Sequence, residues 1–137
     1  MKEKFEKILR NEGYVPKRDD DGDIIVKFQG VTFLIMAEDN ISFGRVWLPK
    51  FWSLDSSDEY AKACWVANRL NKEYRVGKIV IDDELKDTHC LAEFFIDKDD
   101  VQFQDIFLRM FDILFSMRRE FAELMNQSNE NLIQLTR

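Results

Sequence analysis

The sequence predicts an α+β domain in the order α-β-β-β-α-β-β-α, with a mainly antiparallel five-stranded sheet packed against helices. Several short runs alternate between apolar and polar residues, which is the period of a strand with one buried face. Other segments carry apolar residues three and four positions apart, as amphipathic helices do. Short polar turns join neighbouring strand runs, and such turns favour hairpins and therefore antiparallel pairing.

A narrow apolar stripe predicts the first helix over about residues 2–12. Its members are spaced by three and four positions: Phe5, Ile8 and Leu9. Gly13 follows at the C′ position, where glycine enters the left-handed region at little cost. An acidic turn at residues 19–23 comes next. We expect its Asp side chains to accept hydrogen bonds from backbone N–H groups and Gly22 to take a positive φ.

Three strands are predicted before the second helix. Residues 24–29 alternate with a period of two, as expected for a half-buried strand. Residues 31–37 are apolar at nearly every position, which predicts a central strand covered on both faces. The third strand covers residues 41–50, and Pro49 near its end argues against an unbroken ladder there because proline has no N–H to donate.

A capping box predicts the start of the second helix. Ser56 is followed three residues later by Glu59, so each side chain can bond to the other's backbone N–H. Gly77 ends the helical pattern. Residues 79–81 and 90–96 are rich in β-branched and aromatic residues, and the polar loop between them predicts a hairpin.

A long last helix is predicted from a cap at Asp99 or Asp100 to about Asn126. Its apolar stripe is wide: Phe103, Ile106, Phe107, Met110, Phe111, Leu114, Met117, Phe121, Leu124 and Met125. Residues 1–126 are therefore assigned to a single domain, and the polar residues 127–137 to a flexible tail. Three apolar residues of that tail could instead extend the helix or dock on the domain: Leu132, Ile133 and Leu135.

Composition and charge exclude several classes of function. The 137 residues include 45% hydrophobic ones, enough for one core, and the net charge of −6 opposes nucleic-acid binding. No apolar run approaches the ~20 residues that span a bilayer, and the charged start does not resemble a signal peptide. Two cysteines outside any C-x-x-C pair indicate reduced thiols. We expect a cytoplasmic protein that binds neither nucleic acid nor membrane.

The sequence offers no group of residues that resembles a catalytic or cofactor site, so we expect a protein that is not an enzyme. His89 is the single histidine, and no nucleophile can be paired with it. Cys64 on the helical stripe and Cys90 on a strand are expected to be small core residues. The acidic turn lacks the glutamate that closes an EF-hand, so we predict neither a metal site nor a cofactor.

Aromatic residues form the candidate interaction surface. Trp47, Phe51 and Trp52 cluster at the end of the third strand, where Pro49 is expected to leave the last two outside the ladder. Phe107, Phe111 and Phe115 step by four along the last helix, more than one sheet face is expected to cover. Core packing explains part of both sets, and an exposed aromatic is also a common interface anchor.

Several motifs resemble those of the YbjN-like family, over about residues 5–125. They are Gly13-Tyr14, residues 20–24, Leu48 through Trp52, Asn68 through Asn71, and the aromatic last helix. The resemblance implies a bacterial protein with the fold of type III secretion chaperones. The family is described as regulators of sensory transduction, which names no reaction and supplies no catalytic residues. Its fold relatives are small acidic chaperones that often dimerise and hold extended segments of other proteins.

The leading hypothesis is therefore a non-enzymatic protein-interaction module that binds a partner protein or forms a homodimer. The alternative is a small-molecule or metal sensor, with its ligand between the sheet and the last helix or at the acidic turn.

Overall fold

The computed structural model describes residues 1–82, 84, 86–97 and 101–135. The elements follow in this order: α1 (Lys2–Asn11), β1 (Lys17–Arg18), β2 (Ile24–Phe28), β3 (Val31–Glu38), β4 (Phe43–Ser53), α2 (Ser57–Glu73), β5 (Gly77–Asp82), β6 (Asp87–Phe95), α3 (Phe103–Met125) and α4 (Asn129–Leu135). A 3-10 turn at Asp39–Ile41 joins β3 to β4.

The strands form one antiparallel sheet in the order β1-β2-β3-β4-β6-β5. This confirms the predicted α+β class and antiparallel pairing, but the sheet has six strands and the prediction of five was wrong. The extra strand, β1, pairs only Lys17 with Ile25 and Arg18 with Ile24. Two residues are too few to show a period of two, so the sequence pattern could not reveal this strand.

The core lies between one face of the sheet and the helices. Phe111 of α3 contacts Phe28 and Phe33 of the sheet, with ring centroids 5.7 and 5.2 Å apart. Phe5 of α1 stacks on Phe107 at 4.5 Å and also contacts Phe94 of β6 at 6.4 Å. The first and third helices therefore pack on the same face, and the aromatic rings fill the space between the two layers.

The local signals for turns and caps are confirmed. Gly13 and Gly22 have φ of +92° and +84°. The carboxylate of Asp19 accepts hydrogen bonds from the backbone N–H groups of Asp21 and Asp23, at 3.0 and 2.9 Å. The acidic turn therefore uses its oxygens to bind its own backbone, as predicted.

The start of α2 combines the predicted cap with a tertiary contact. The Ser56 hydroxyl accepts a hydrogen bond from the backbone N–H of Glu59 at 3.1 Å. The Glu59 carboxylate in turn accepts from the N–H of Asp55 at 3.1 Å and from the indole N–H of Trp52 at 2.9 Å. The Ser56 half of the predicted capping box is therefore confirmed, whereas the Glu59 side chain bonds to the N–H of Asp55 in place of that of Ser56. Glu59 also connects the helix to the end of β4, which the sequence pattern did not predict.

Two features of the predicted strands were wrong. β3 is covered on one face only: Phe33 and Ile35 are buried, whereas Leu34 and Met36 are half-buried on the other face. β4 begins at Phe43 and continues past Pro49 to Ser53, because a bulge absorbs the residues between Leu48 and Trp52. A bulge admits an unpaired residue without ending the ladder.

The start of the last helix differs from the prediction, whereas its end, with Asn126 as the C-cap, agrees with it. α3 begins after Gln102, and the predicted caps Asp99 and Asp100 lie outside the described residues. The segment predicted as a flexible tail contains α4, whose Leu132 has 5% of its surface exposed. Leu132 is therefore docked on the domain, in agreement with the alternative that its apolar residues allowed.

Candidate functional site: the open face of the sheet

Side chains alternate between the two faces of the sheet, and the set that points away from the helices forms the open face. Its apolar members come from five strands: Ile25, Leu34, Met36, Phe43, Trp47, Val80, Leu91 and Phe95. Phe95 and Val80 are 86% and 40% exposed, whereas Leu91 retains only 8%. The apolar residues in the centre of the open face are therefore largely shielded from water. Those nearer its margins are more exposed.

One row of directly opposed residues crosses all six strands. In order along the row they are Lys17, Ile25, Leu34, Trp47, Leu91 and Lys78. We call it the central row. Its four middle residues are apolar and directly opposed in cross-strand pairs, with Trp47 between Leu34 and Leu91. Both of its ends are lysines.

A second row beside the central row carries an ion-pair network. The Arg45 guanidinium lies 3.0 Å from one oxygen of Glu93, and the Lys78 ammonium lies 2.5 Å from the other. These two cations, Lys78 first, lower the pKa of the Glu93 carboxyl from its ordinary value. Met36 completes this row next to Arg45. We call Met36, Arg45 and Glu93 the second row.

Two buried donors on the open face lack acceptors. Within the described part of the chain, Arg45 Nε and Trp47 Nε1 have no hydrogen-bond partner. A buried donor left unpaired costs about 1–3 kcal/mol. Both side chains line a depression of about 350 Å³, which His89 also borders. The His89 ring lies 5.5 Å from that of Trp47, and its Nδ1 accepts a hydrogen bond from the Lys50 N–H at 3.3 Å.

The structure separates the three aromatic residues predicted together at the end of β4. Trp47 lies half-buried on the open face, as a candidate interaction residue should. Phe51 and Trp52 are also half-buried, but they lie on the helix side, where both rings contact Phe121 at 5.2 and 5.8 Å. The expectation that Trp52 stands outside the ladder was wrong, because it pairs with Thr88 of β6.

The aromatic residues of α3 do not form a surface. Phe107 and Phe111 retain 0% and 1% exposure, so their assignment to an interaction surface was wrong. The reason is that α1 covers what the sheet leaves open: Phe5 stacks on Phe107 while Phe111 packs on the sheet. Phe115 is half-buried, with its ring 6.1 Å from that of Phe28. It remains a candidate only at the margin of the helix layer.

Sequence reasoning missed Leu34 and Met36 as residues of the open face. Both lie in β3, whose consecutive apolar positions were interpreted as cover on both faces. Alternate residues of such a strand still face opposite ways, so each strand supplies residues to both the core and the open face. The signal that could have identified these residues was the number of apolar side chains in the strand, which exceeds what one helix layer can cover.

The two cysteines differ from each other. Cys64 is exposed on α2, so the expectation that it belongs to the core was wrong. Cys90 is buried as expected, and its burial raises the pKa of the thiol to about 12. Within the described residues, no group of three or more His, Cys, Asp or Glu side chains could hold a metal ion.

Comparison with known proteins identifies the fold. No family model and no curated protein matches the sequence. The structure is similar to the crystal structure of an uncharacterized protein from Methanothermobacter thermautotrophicus, with a TM-score of 0.64, 14% identity, and 90% of this chain and 95% of that chain covered. It is also similar to the crystal structure of YbjN from E. coli, with a TM-score of 0.65, 13% identity, and 88% of each chain covered.

The chain has a YbjN-like fold. The predicted resemblance to the YbjN-like family is thus confirmed at the level of the fold. At 13% and 14% identity this likeness concerns the fold alone. None of the helices in the described ranges is long and apolar enough to cross a membrane.

Proposed function

We propose that this chain is a non-enzymatic protein-interaction module that binds its partner through the open face of the sheet. The observation that carries the proposal is the group of adjacent apolar side chains in the centre of that face. Leu34, Trp47 and Leu91 are cross-strand neighbours, and Met36 extends the group on β3. Leu34, Met36 and Trp47 are half-buried and Leu91 retains 8% exposure, so the first three supply the accessible apolar surface of the group. Contiguous accessible apolar surface commonly marks an interaction site.

The nature of the central residue supports this function. Trp47 is half-buried, so a partner would remove the remaining exposed part of a large aromatic side chain from water. Aromatic residues in the middle of an apolar patch, surrounded by polar residues, are the usual anchors of protein interfaces.

No observation favours the alternative of a small-molecule or metal sensor. That hypothesis placed a ligand between the sheet and the last helix, where the rings of Phe28, Phe33 and Phe111 are in mutual contact. Its other site was the acidic turn, whose Asp19 oxygen is already engaged with backbone N–H groups. The partner proposed here is a protein, either another chain or a second copy. The free thiols support the cytoplasmic location that belongs to the proposal.

The test compares two substitutions on opposite sides of the molecule. Trp47→Asp places a charge in the centre of the open face. Val101→Asp places the same charge on an apolar residue that is 96% exposed beside α1, in the helix layer. Native extract is passed over the immobilised wild-type chain and both variants, and every recovered protein is then purified and titrated directly against all three.

The expected result is a stoichiometric partner whose Kd weakens at least tenfold with Trp47→Asp and stays within about twofold with Val101→Asp. Thermal melts of both variants establish that they are folded. Equal binding by the wild type and the Trp47→Asp variant would refute the open face as the binding surface.

A further inference from the structure

The charges of the central row and the second row are opposite in sign to those of the whole chain, whereas Glu38 and Asp82 lie on the same face outside these two rows. The central row and the second row together carry Lys17, Lys78 and Arg45 against one acid, Glu93. The chain as a whole has a net charge of −6. Neighbouring strands lie about 4.8 Å apart, so the two terminal lysines of the central row are separated by about 24 Å. Between them lie only apolar residues.

We propose that the open face binds an amphipathic helix of a partner protein, and this inference rests on the proposed function. The helix has an apolar stretch with acidic residues at both ends. The apolar stretch would cover Leu34, Trp47 and Leu91, while the acidic ends meet Lys17 and Lys78. A distance of about 24 Å corresponds to about 16 residues of α-helix, or between four and five turns.

The hydrogen bonding of the sheet explains why the partner is a helix and not an added strand. The backbone groups in the middle of the β5 edge are not available to an added strand. The Asn71 side chain donates to the Ile79 carbonyl at 3.1 Å and accepts from the Ile79 N–H at 2.7 Å. The opposite edge strand, β1, has only two residues. Above the open face, the backbone groups of the inner strands are already paired, so the partner must satisfy its own, which a helix does.

The charges of the open face favour an acidic partner over a second copy of this chain. An ionised carboxylate can pair with the ammonium groups of Lys17 and Lys78. A second copy would offer its own open face, with the same two lysines. Its rows contain the single acid Glu93, which Arg45 and Lys78 already hold. Like charges opposed across an interface weaken association.

The probes are two helix-stabilised synthetic peptides of about 18 residues with leucines along one face. One has glutamates in its first and last turns, and the other has lysines at the same positions. Fluorescence anisotropy of the labelled peptides measures their binding to the full chain at low and high salt. We expect the glutamate peptide to bind about tenfold more tightly at low ionic strength, and the difference to shrink as salt screens it.

A pair of double variants assigns the preference to the central row. Lys17→Gln with Lys78→Gln should bring the two peptides to within about twofold of each other. The matched control, Lys7→Gln with Lys72→Gln, removes the same charge from exposed positions on α1 and α2 and should retain the preference. Trp47→Asp should abolish binding of the glutamate peptide.

Three other outcomes would refute the inference, and each refutes a different part of it. Equal, Trp47-dependent binding of both peptides would refute the acidic ends and leave the proposed function standing. If neither peptide binds while a natural partner still requires Trp47, the helix is refuted and the open face is not. Self-association that depends on Trp47, without peptide binding, would identify a second copy as the occupant.

Discussion

Replacement of Trp52 by alanine tests whether the helix-covered face of the sheet contributes to stability and not to binding at the open face. Trp52 contacts Phe121 at 5.8 Å and donates its indole N–H to Glu59 at 2.9 Å. The substitution therefore removes a half-buried ring that packs on Phe121 and a hydrogen bond to Glu59 at the start of α2. We expect a loss of stability without any change in binding at the open face.

The size of the loss follows from these two contacts. Full burial would put a Trp→Ala change at about 3–5 kcal/mol, and the half-buried ring reduces that to about 2 kcal/mol. The hydrogen bond to a carboxylate adds about 1 kcal/mol after allowance for its partial exposure. The total, about 3 kcal/mol, corresponds to a decrease in Tm of about 10 °C for a chain of this size.

Thermal and urea denaturation followed by circular dichroism measure this difference. Trp52→Phe is the first control, because it keeps a ring against Phe121 and loses only the N–H, at a cost of about 1 kcal/mol. Trp47→Ala is the second, since it removes the same side chain from the open face and should destabilise less. A Trp52→Ala variant within 1 kcal/mol of the wild type would refute its role in the core.

The remaining predictions concern the segment before β5 and the thiols. Val76 has a φ of +73°, which is costly for a β-branched residue, so Val76→Gly should stabilise the protein by about 1 kcal/mol in urea titrations. The neighbouring Gly77→Ala should destabilise it by about 1–3 kcal/mol, because the new Cβ would lie 2.5 Å from the Met117 sulfur. If both substitutions change the free energy of unfolding in the same direction, the backbone of this turn differs from that described. A thiol-reactive chromophore should label Cys64 in the native state and Cys90 only after unfolding, since burial raises the pKa of Cys90 to about 12; rapid labelling of both would contradict this.

The features predicted correctly from the sequence depend on local chemistry. Gly13 ends α1 because a positive φ suits glycine, and Ser56 caps α2 because its hydroxyl reaches a nearby N–H. The antiparallel pairing followed from short turns between strands. In each case the residues that decide the structure lie within a few positions of one another.

The features that were wrong depend on partners distant in the sequence. Nothing near Phe107 indicates that Phe5 of α1 will stack on it, since the two residues are brought together only by the complete fold. In the same way, the bulge in β4 keeps Trp52 in the ladder through its pairing with Thr88 of β6. Apolar spacing on one element shows that a face must be covered but does not identify what covers it.

β3 connects this difference between sequence and structure to the proposed function. Its sequence has the continuous apolar character of a strand buried on both faces, yet the helices cover only the face of Phe33 and Ile35. Leu34 and Met36 are equally apolar and remain half-buried. If the strand is suited to two covered faces and the chain supplies one cover, a partner on the open face accounts for the other. The sequence pattern is then a property of the complex and not of the isolated chain.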